Sequence, residues 1–280
     1  MSGPNPKPFE CPEPVFWYLV GLIASDGCLG RDGRGINVTA KERAFLAQVK
    51  TAIGSRGSIS QKSSGAGRLA YQLQFKSRDL WHRLWQIGLT PKKSLTIGPL
   101  RVPDEGFSDF LRGVIDGDGN IRRWRHPTNG REQWALRIYG CSRPFLDWLR
   151  GTAKRLWRLE GAMCVERGNT QVRRHTKYTL KFGKIAAKVI LAECYYPNAV
   201  ALERKRKLAM KCVSVPVGWS KSKTVHDSKR WRSWSYVHVF VRPPRPRSDS
   251  GKDVDPAAGV VAEGISGGGP GWLNWQKRRT

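Results

Sequence analysis

Leu19-Val20-Gly21-Leu22-Ile23-Ala24-Ser25-Asp26-Gly27 and Leu111-Arg112-Gly113-Val114-Ile115-Asp116-Gly117-Asp118-Gly119 are two copies of one pattern. Each is an apolar helical stretch seeded with small residues and ended by Asp-Gly. A single such stretch is an ordinary helix terminus, since Asp and Gly both favour leaving the helix. Two of them in one chain point to an internal repeat, which decides the fold before any local assignment does.

The material behind each copy repeats as well. A helix over Val15–Ala24 is expected to carry the first and to end at Asp26-Gly27, followed by a turn at Arg31–Gly35 and a strand at Ile36–Thr39. A helix over Lys41–Ile53, strands at Gly57–Lys62 and Leu69–Lys76, and a helix over Arg78–Ile87 follow, with Thr90–Pro103 as a connector. After the second copy, Gln133–Tyr139 alternates like a strand with Trp134, Leu136 and Ile138 inward, and Phe145-Leu146 opens a helix as Phe45-Leu46 does. Gly161-Ala162-Met163 takes the place of Gly57-Ser58-Ile59, and Tyr178–Phe182 that of Tyr71–Phe75. The last two share Tyr-x-Leu-x-Phe with different residues between, so the inward face is kept and the outward face differs. The chain divides into an irregular leader (1–14), a first repeat (15–103), a second repeat (104–212) and a basic, Pro/Gly-rich tail (213–280). The tail is expected to be largely disordered, because it carries too little apolar surface to offset the entropy of ordering.

Charge narrows the partners. Among 280 residues, 50 Lys and Arg face 22 Asp and Glu, a formal net charge of +28 and a pI near 10.5. Such a field attracts polyanions, foremost nucleic acid, without separating DNA from RNA. A hydrophobic content of 39% with 12 Trp suits a folded core. The apolar run Val15–Ala24 is far too short to cross a membrane, and the N-terminus has no basic-then-apolar signal. The expected location is intracellular, in the cytoplasm, the nucleoid or an organelle, and not secreted. Six cysteines without C-x-x-C spacing argue against a zinc site or a disulfide framework and fit a reducing compartment.

The two stretches resemble the paired motifs of the LAGLIDADG homing endonucleases in their single-chain, two-motif form. Leu19, Gly21, Leu22, Ile23, Asp26 and Gly27 match in the first copy, and Leu111, Gly113, Ile115, Asp116, Asp118 and Gly119 in the second. Val20, Ala24 and Ser25 depart in the first, and Arg112, Val114 and Gly117 in the second. Ala24 replaces the motif's first acid, which is not the family's metal ligand. The resemblance spans roughly residues 15–212, including the family-like run Gly88–Ser94. It implies an α+β fold of two tandem αββαββα-type repeats related by a pseudo-two-fold axis, with the motif helices paired at the centre and curved antiparallel sheets forming a DNA-binding saddle. It also implies a monomeric double-strand DNA endonuclease of the intron-homing kind, a hydrolase using Mg²⁺ (Mn²⁺ substituting) that leaves short 3′ overhangs. The metal ligands would be Asp26 and Asp118. Lys93 and Lys205 would be the basic catalytic residues, with neighbouring Lys92 and Arg204 as alternatives.

Elementary chemistry points the same way. Helices that pack closely need small residues at the contact, here Gly21, Ala24, Gly113 and Gly117. Two carboxylates brought together repel, and each prefers a proton unless a cation intervenes. Mg²⁺ suits that role, because it takes carboxylate, water and phosphate oxygens and activates water for phosphodiester hydrolysis. By parity, the outward strand faces offer Asn37, Thr39, Ser58, Ser60, Lys62, Gln72, Gln74 and Lys76 from the first repeat. The second offers Gln133, Arg137, Tyr139, Arg173, Lys177, Thr179 and Lys181, with turns carrying Arg31, Arg34, Arg122, Arg123, Arg125 and Arg131 towards phosphates. Two dissimilar faces imply a long asymmetric DNA target. Two other classes share the fold: an RNA maturase acting on its host intron RNA, and a non-catalytic DNA-binding regulator, against which the retention of both acids counts. An intein is disfavoured, lacking an initiating Cys and a His-Asn end.

Overall fold

The computed structural model describes residues 9–63, 69–166 and 175–215. All fall in the first of two compact units, Met1–Arg242; the second, Pro243–Thr280, lies outside them. The elements run α1 (Glu13–Asp26), β1 (Gly27–Leu29), β2 (Gly35–Ala40), α2 (Arg43–Ala52), β3 (Ser58–Ser63), β4 (Leu69–Lys76) and α3 (Arg78–Ile87). The series then starts again with α4 (Phe107–Asp118), β5 (Gly119–Arg125), β6 (Glu132–Gly140), α5 (Arg143–Trp157), β7 (Ala162–Glu166), β8 (Lys177–Phe182) and α6 (Lys184–Cys194). A further helix, α7 (Glu203–Ser214), follows. The strands form two antiparallel sheets of identical order, β1-β2-β4-β3 and β5-β6-β8-β7. This is the expected α+β architecture of two αββαββα repeats.

The core explains why the repeats pair. Tyr18 to Ile23 of α1 and Phe110 to Ile115 of α4 are all buried. A helix buried on every side belongs at the centre of a fold. The outer helices α2, α3 and α5 bury one stripe each, including Leu46, Leu84 and Leu149. Equivalent strand residues fill the core in both halves: Val38 and Leu73 in one, Ile138 and Leu180 in the other. α1 and α4 meet backbone to backbone. A methyl group on Gly21 would lie 1.9 Å from the Phe110 carbonyl oxygen, and one on Gly113 2.2 Å from that of Tyr18. Reciprocal ties join the repeats further out. Arg204 of α7 bonds Glu42, just ahead of α2, at 2.9 Å, and the Ser142 hydroxyl, just ahead of α5, donates to the Ile97 carbonyl.

Three sequence expectations are corrected. First, α1 starts at Glu13, within the stretch read as leader, because Pro14 supplies a helical φ at a position whose N–H has no intrahelical partner. Second, Asp26 and Asp118 run directly into strands, and neither following glycine is a left-handed cap. Gly27 has φ −105° and ψ 168° and Gly119 φ −85° and ψ 154°, both extended. Close approach demands glycine instead, since a methyl group on Gly119 would sit 2.5 Å from the Ile115 carbonyl oxygen. Third, Arg122, Arg123 and Arg125 lie in strand β5 rather than in a turn. Among the described residues no helix is long and apolar enough to cross a membrane.

The helix contact makes a graded prediction. Gly113→Ala pushes a methyl group into backbone that cannot yield and should cost about 3 kcal/mol or more. Gly151→Ala, at a helical position with nothing within 4 Å, should add about 0.5–1 kcal/mol. Thermal unfolding of the two variants, with shifts of opposite sign, is the check.

Candidate active site and interface

The close contact of α1 and α4 carries their C-terminal ends together. One turn beyond Gly21 and Gly113, Ser25 faces Gly117, where an added methyl group would lie 2.0 Å from the Ser25 hydroxyl oxygen and 3.2 Å from Asp26 Oδ2. Ser25 occupies the slot expected for Ala24, and the i, i+4 spacing from Gly21 is the sequence signal that picks it out. Its hydroxyl donates back to the carbonyls of Gly21 (3.1 Å) and Leu22 (3.2 Å). Asp26 and Asp118 are the last residues of the two helices. Their tips are solvent-exposed, though packed protein surrounds them on the remaining sides.

Electrostatics mark the pair as strained. Desolvation first, and then the charge of Asp26, pushes the Asp118 carboxyl up to about 6, while Lys205 and Lys93 pull it down. Asp26 is also raised, by desolvation, and the same two lysines and Arg204 oppose the shift. Water at the exposed tips tempers this repulsion.

Lys93 and Lys205 are each 4% exposed, and each is attached to the end of one motif helix. Lys93 Nζ donates to the Gly27 carbonyl at 2.5 Å. Lys205 Nζ donates to the carbonyls of Ile115 (2.6 Å), Asp116 (2.6 Å) and Gly117 (3.1 Å). An ammonium there satisfies carbonyls that the helix leaves open and meets the negative end of its dipole. Burial lowers both lysine pKa values, that of Lys205 to about 8. The alternatives sit differently. Lys92 is exposed in a left-handed conformation at φ 58°, and Arg204 is paired with Glu42.

The residues behind Asp118 form a buried network that the sequence did not reveal. Asp116, 3% exposed, accepts hydrogen bonds from the Tyr18 hydroxyl (2.8 Å), the Tyr195 hydroxyl (2.7 Å) and the Leu202 amide (2.8 Å). Burial raises its pKa, and these three donors and Lys205 act against the rise. Arg112, a departure from the motif, pairs with Asp109 at 2.8 Å. It also donates to the carbonyls of Val200 and Cys194, both at 2.9 Å, and stacks on the rings of Tyr18 and Tyr196. Asp109, Arg112 and Asp116 share one face of α4 by their i, i+3 and i, i+7 spacing, which is the signal that would have grouped them.

Strand register assembles the expected reading residues. In the first sheet Cys28, Asn37, Gln74 and Ser58 stand in one cross-strand row, and Thr39, Gln72 and Ser60 in the next. Lys62 and Lys76 lie on the same face, opposite Ala70 and Gly35. In the second sheet Asn120, Arg137, Lys181 and Ala162 form one row, and Tyr139, Thr179 and Cys164 the next. Arg122 and Gln133 share that face, opposite Ala135 and Trp124, and Lys177 sits opposite Glu166. Thr179 is buried. Arg123 and Arg125 fall on the other face by parity, and Arg123 is ion-paired to Glu132. Arg31 and Arg34 lie in the β1–β2 turn, Arg34 against Asp32 at 3.5 Å, and Arg131 lies in the β5–β6 turn. Arg173 lies outside the described residues. Cys28, Asn120 and Trp124 also join these faces, from strands whose sequences carry no clear alternation.

The donor set suits a hard divalent cation. Among the described residues no group of three or more His, Cys, Asp and Glu could hold a metal, so Asp26 and Asp118 would supply two carboxylates and leave other positions to water and phosphate. Mg²⁺ is bound in that manner in phosphoryl-transfer sites.

No protein-family model and no curated protein sequence matches the chain. Among solved structures, the homing endonuclease I-WcaI bound to its DNA recognition sequence is 11% identical over 70% of this chain and 93% of its own, with a TM-score of 0.47. I-DmoI in complex with DNA and Ca is 17% identical over 69% and 98%, TM-score 0.44. Full-length DUF199/WhiA from Thermatoga maritima is 16% identical over 80% of this chain, TM-score 0.46, and the match spans 66% of its length. These are likenesses of fold, and the site assignments rest on the residues described above.

The strain at Asp118 has a signed consequence. With a folded pKa of about 6 against 3.8 for the free side chain, the folded state holds a proton that the unfolded chain has released between those values. Stability therefore falls as pH rises through that window and stays reduced above it. In the presence of a chelator, Asp118→Asn should melt higher than the wild type at pH above 6 and lose that advantage as pH falls towards 4, as followed by thermal unfolding across the range.

Proposed function

We propose that the chain is a site-specific double-strand DNA endonuclease acting at a long asymmetric target. One observation carries this reading: two carboxylates from separate repeats meet at the ends of paired helices, flanked by two buried ammonium groups and by two polar and basic sheet faces. Nothing in the packing of a purely structural helix pair calls for like charges at its solvent-facing end.

In this reading the sheets bind the duplex by its grooves and backbone and hold it across the helix ends. Asp26 and Asp118 would hold Mg²⁺, which when bound supplies Lewis-acid stabilisation and activates water. Lys93 and Lys205 offset the carboxylate charge and keep each helix end in register with its sheet. Their ammonium groups also raise the local positive potential where a phosphodiester gains charge. Lys205, with its pKa lowered to about 8, lies closer to the range in which a group exchanges protons near neutral pH. Both halves reside in one chain, so a monomer suffices.

A second reading is favoured by one specific observation. Every hydrogen bond drawn for Lys93 and Lys205 goes to a helix-terminal carbonyl, as expected of capping residues in a DNA-binding protein that does not cut. Asp118→Asn separates the two. On a duplex target selected by binding, the wild type should cut both strands with Mg²⁺ and stop with a chelator. The variant should lose about 10³-fold in rate, equivalent to several kcal/mol of lost transition-state stabilisation, while its dissociation constant changes little. A wild type that binds such a target tightly and never cuts it establishes the second reading.

A further inference from the structure

The two sheet faces differ in the kind of chemistry they present. On the first, Asn37 and Gln74 are direct cross-strand neighbours, and Gln72 stands in the adjacent row beside Thr39. The side chains of Gln72 and Gln74 have no hydrogen-bond partner among the described residues, and Asn37 accepts only a long contact, 3.5 Å, from the Thr39 hydroxyl. Three amides are thus grouped near the centre of the sheet, and the two lysines of this face, Lys62 and Lys76, lie outside the two rows that hold them.

On the second face the corresponding central row is cationic. Asn120 is two residues beyond Asp118, as Cys28 is beyond Asp26, and Asn120 leads across to Arg137 and Lys181. Arg137 is half-buried, and its buried Nε has no hydrogen-bond partner among the described residues. Arg122 stands over the Trp124 ring, 5.5 Å from its centre, on the same side.

Base edges distinguish these groups. In the major groove a side-chain amide matches the donor and acceptor of adenine, whereas a guanidinium or ammonium matches the two acceptors of guanine. Same-face residues along a strand are about 6.6–6.8 Å apart, close to two base-pair rises of about 3.4 Å. Gln72 and Gln74 therefore address separate base pairs. We infer that the two halves of the DNA target differ in composition: the half under β1–β4 presents adenines to Asn37, Gln72 and Gln74, and the half under β5–β8 presents guanines to Arg137, Lys181 and Arg122. This deepens the proposed function and rests on its DNA partner, though not on cleavage.

The test is selection of the full-length protein on a pool of random duplexes in the presence of chelator, followed by sequencing of the bound fraction and then by Mg²⁺. The recovered consensus should carry adenines at two or more positions of one half and guanines at two or more of the other. The double variant Gln72→Arg, Gln74→Arg should replace adenine by guanine in the first half alone. Arg137→Gln should relax or change the preference in the second half alone, and each lost bidentate contact should weaken binding to the wild-type site by about five- to 150-fold. All three are sheet-face positions outside the fully buried core, so the fold should survive the changes. Halves of equal composition, variants that leave both preferences unchanged, or a bound fraction without any consensus would each overturn the inference. A bound asymmetric consensus that resists Mg²⁺ would instead overturn the endonuclease reading and leave this one standing.

Discussion

The structure depends on two helix backbones touching. At Gly21 and Gly113 there is no room for even a methyl group, and everything that gives the molecule its centre follows from that approach. Each glycine sacrifices about 1 kcal/mol of helix propensity relative to alanine. In return, long stretches of main chain and apolar side chain come within dispersion contact, which is individually weak and large in sum. The same approach sets Ser25 against Gly117 and carries Asp26 and Asp118 to one place on the surface. A looser helix pair would leave two separate acids, each solvated on its own.

The two halves share a topology and differ in how they are braced. At matching positions, Trp17, Val20 and Ala24 of α1 correspond to Asp109, Arg112 and Asp116 of α4. The second half therefore replaces apolar contacts with a buried polar network reaching α1 through Tyr18 and the start of α7 through the Leu202 amide. Taking such charges out of water is expensive, and only complete hydrogen bonding makes it tolerable. The two lysines are also held unequally: Lys205 is bonded to three helix-end carbonyls and Lys93 to one. Arg112, a departure from the motif, is a fastening point.

Reading the chain by pattern located most of the architecture and a definable part of the site. The strands β2, β4, β6 and β8 and the helices α2 to α5 have an apolar pattern that stands out, as do α1, which is apolar from Val15 to Ala24, and the repetition itself. β1 is only three residues long, and β5 is rich in arginine, so neither carries a legible alternation. Arg122, Arg123 and Arg125 therefore give a turn-like signal in the sequence, although in β5 parity separates Arg122 from the other two. The missing alternation also hides Cys28 and Asn120, the first face residues beyond each acid.

The sequence by itself determined that there are two repeats, that each motif helix must be central, and which residues of each long strand share a face. These follow from periodicity and residue size, which are local properties. Only the tertiary structure decided that Gly27 and Gly119 are there for space rather than for a left-handed turn, and that Ser25 is the residue meeting Gly117. It also decided that Lys93 and Lys205 reach helix-end carbonyls, and that Asp116 collects donors from three separate elements. Each of these depends on which distant backbone or side chain arrives alongside, and sequence spacing holds no measure of that.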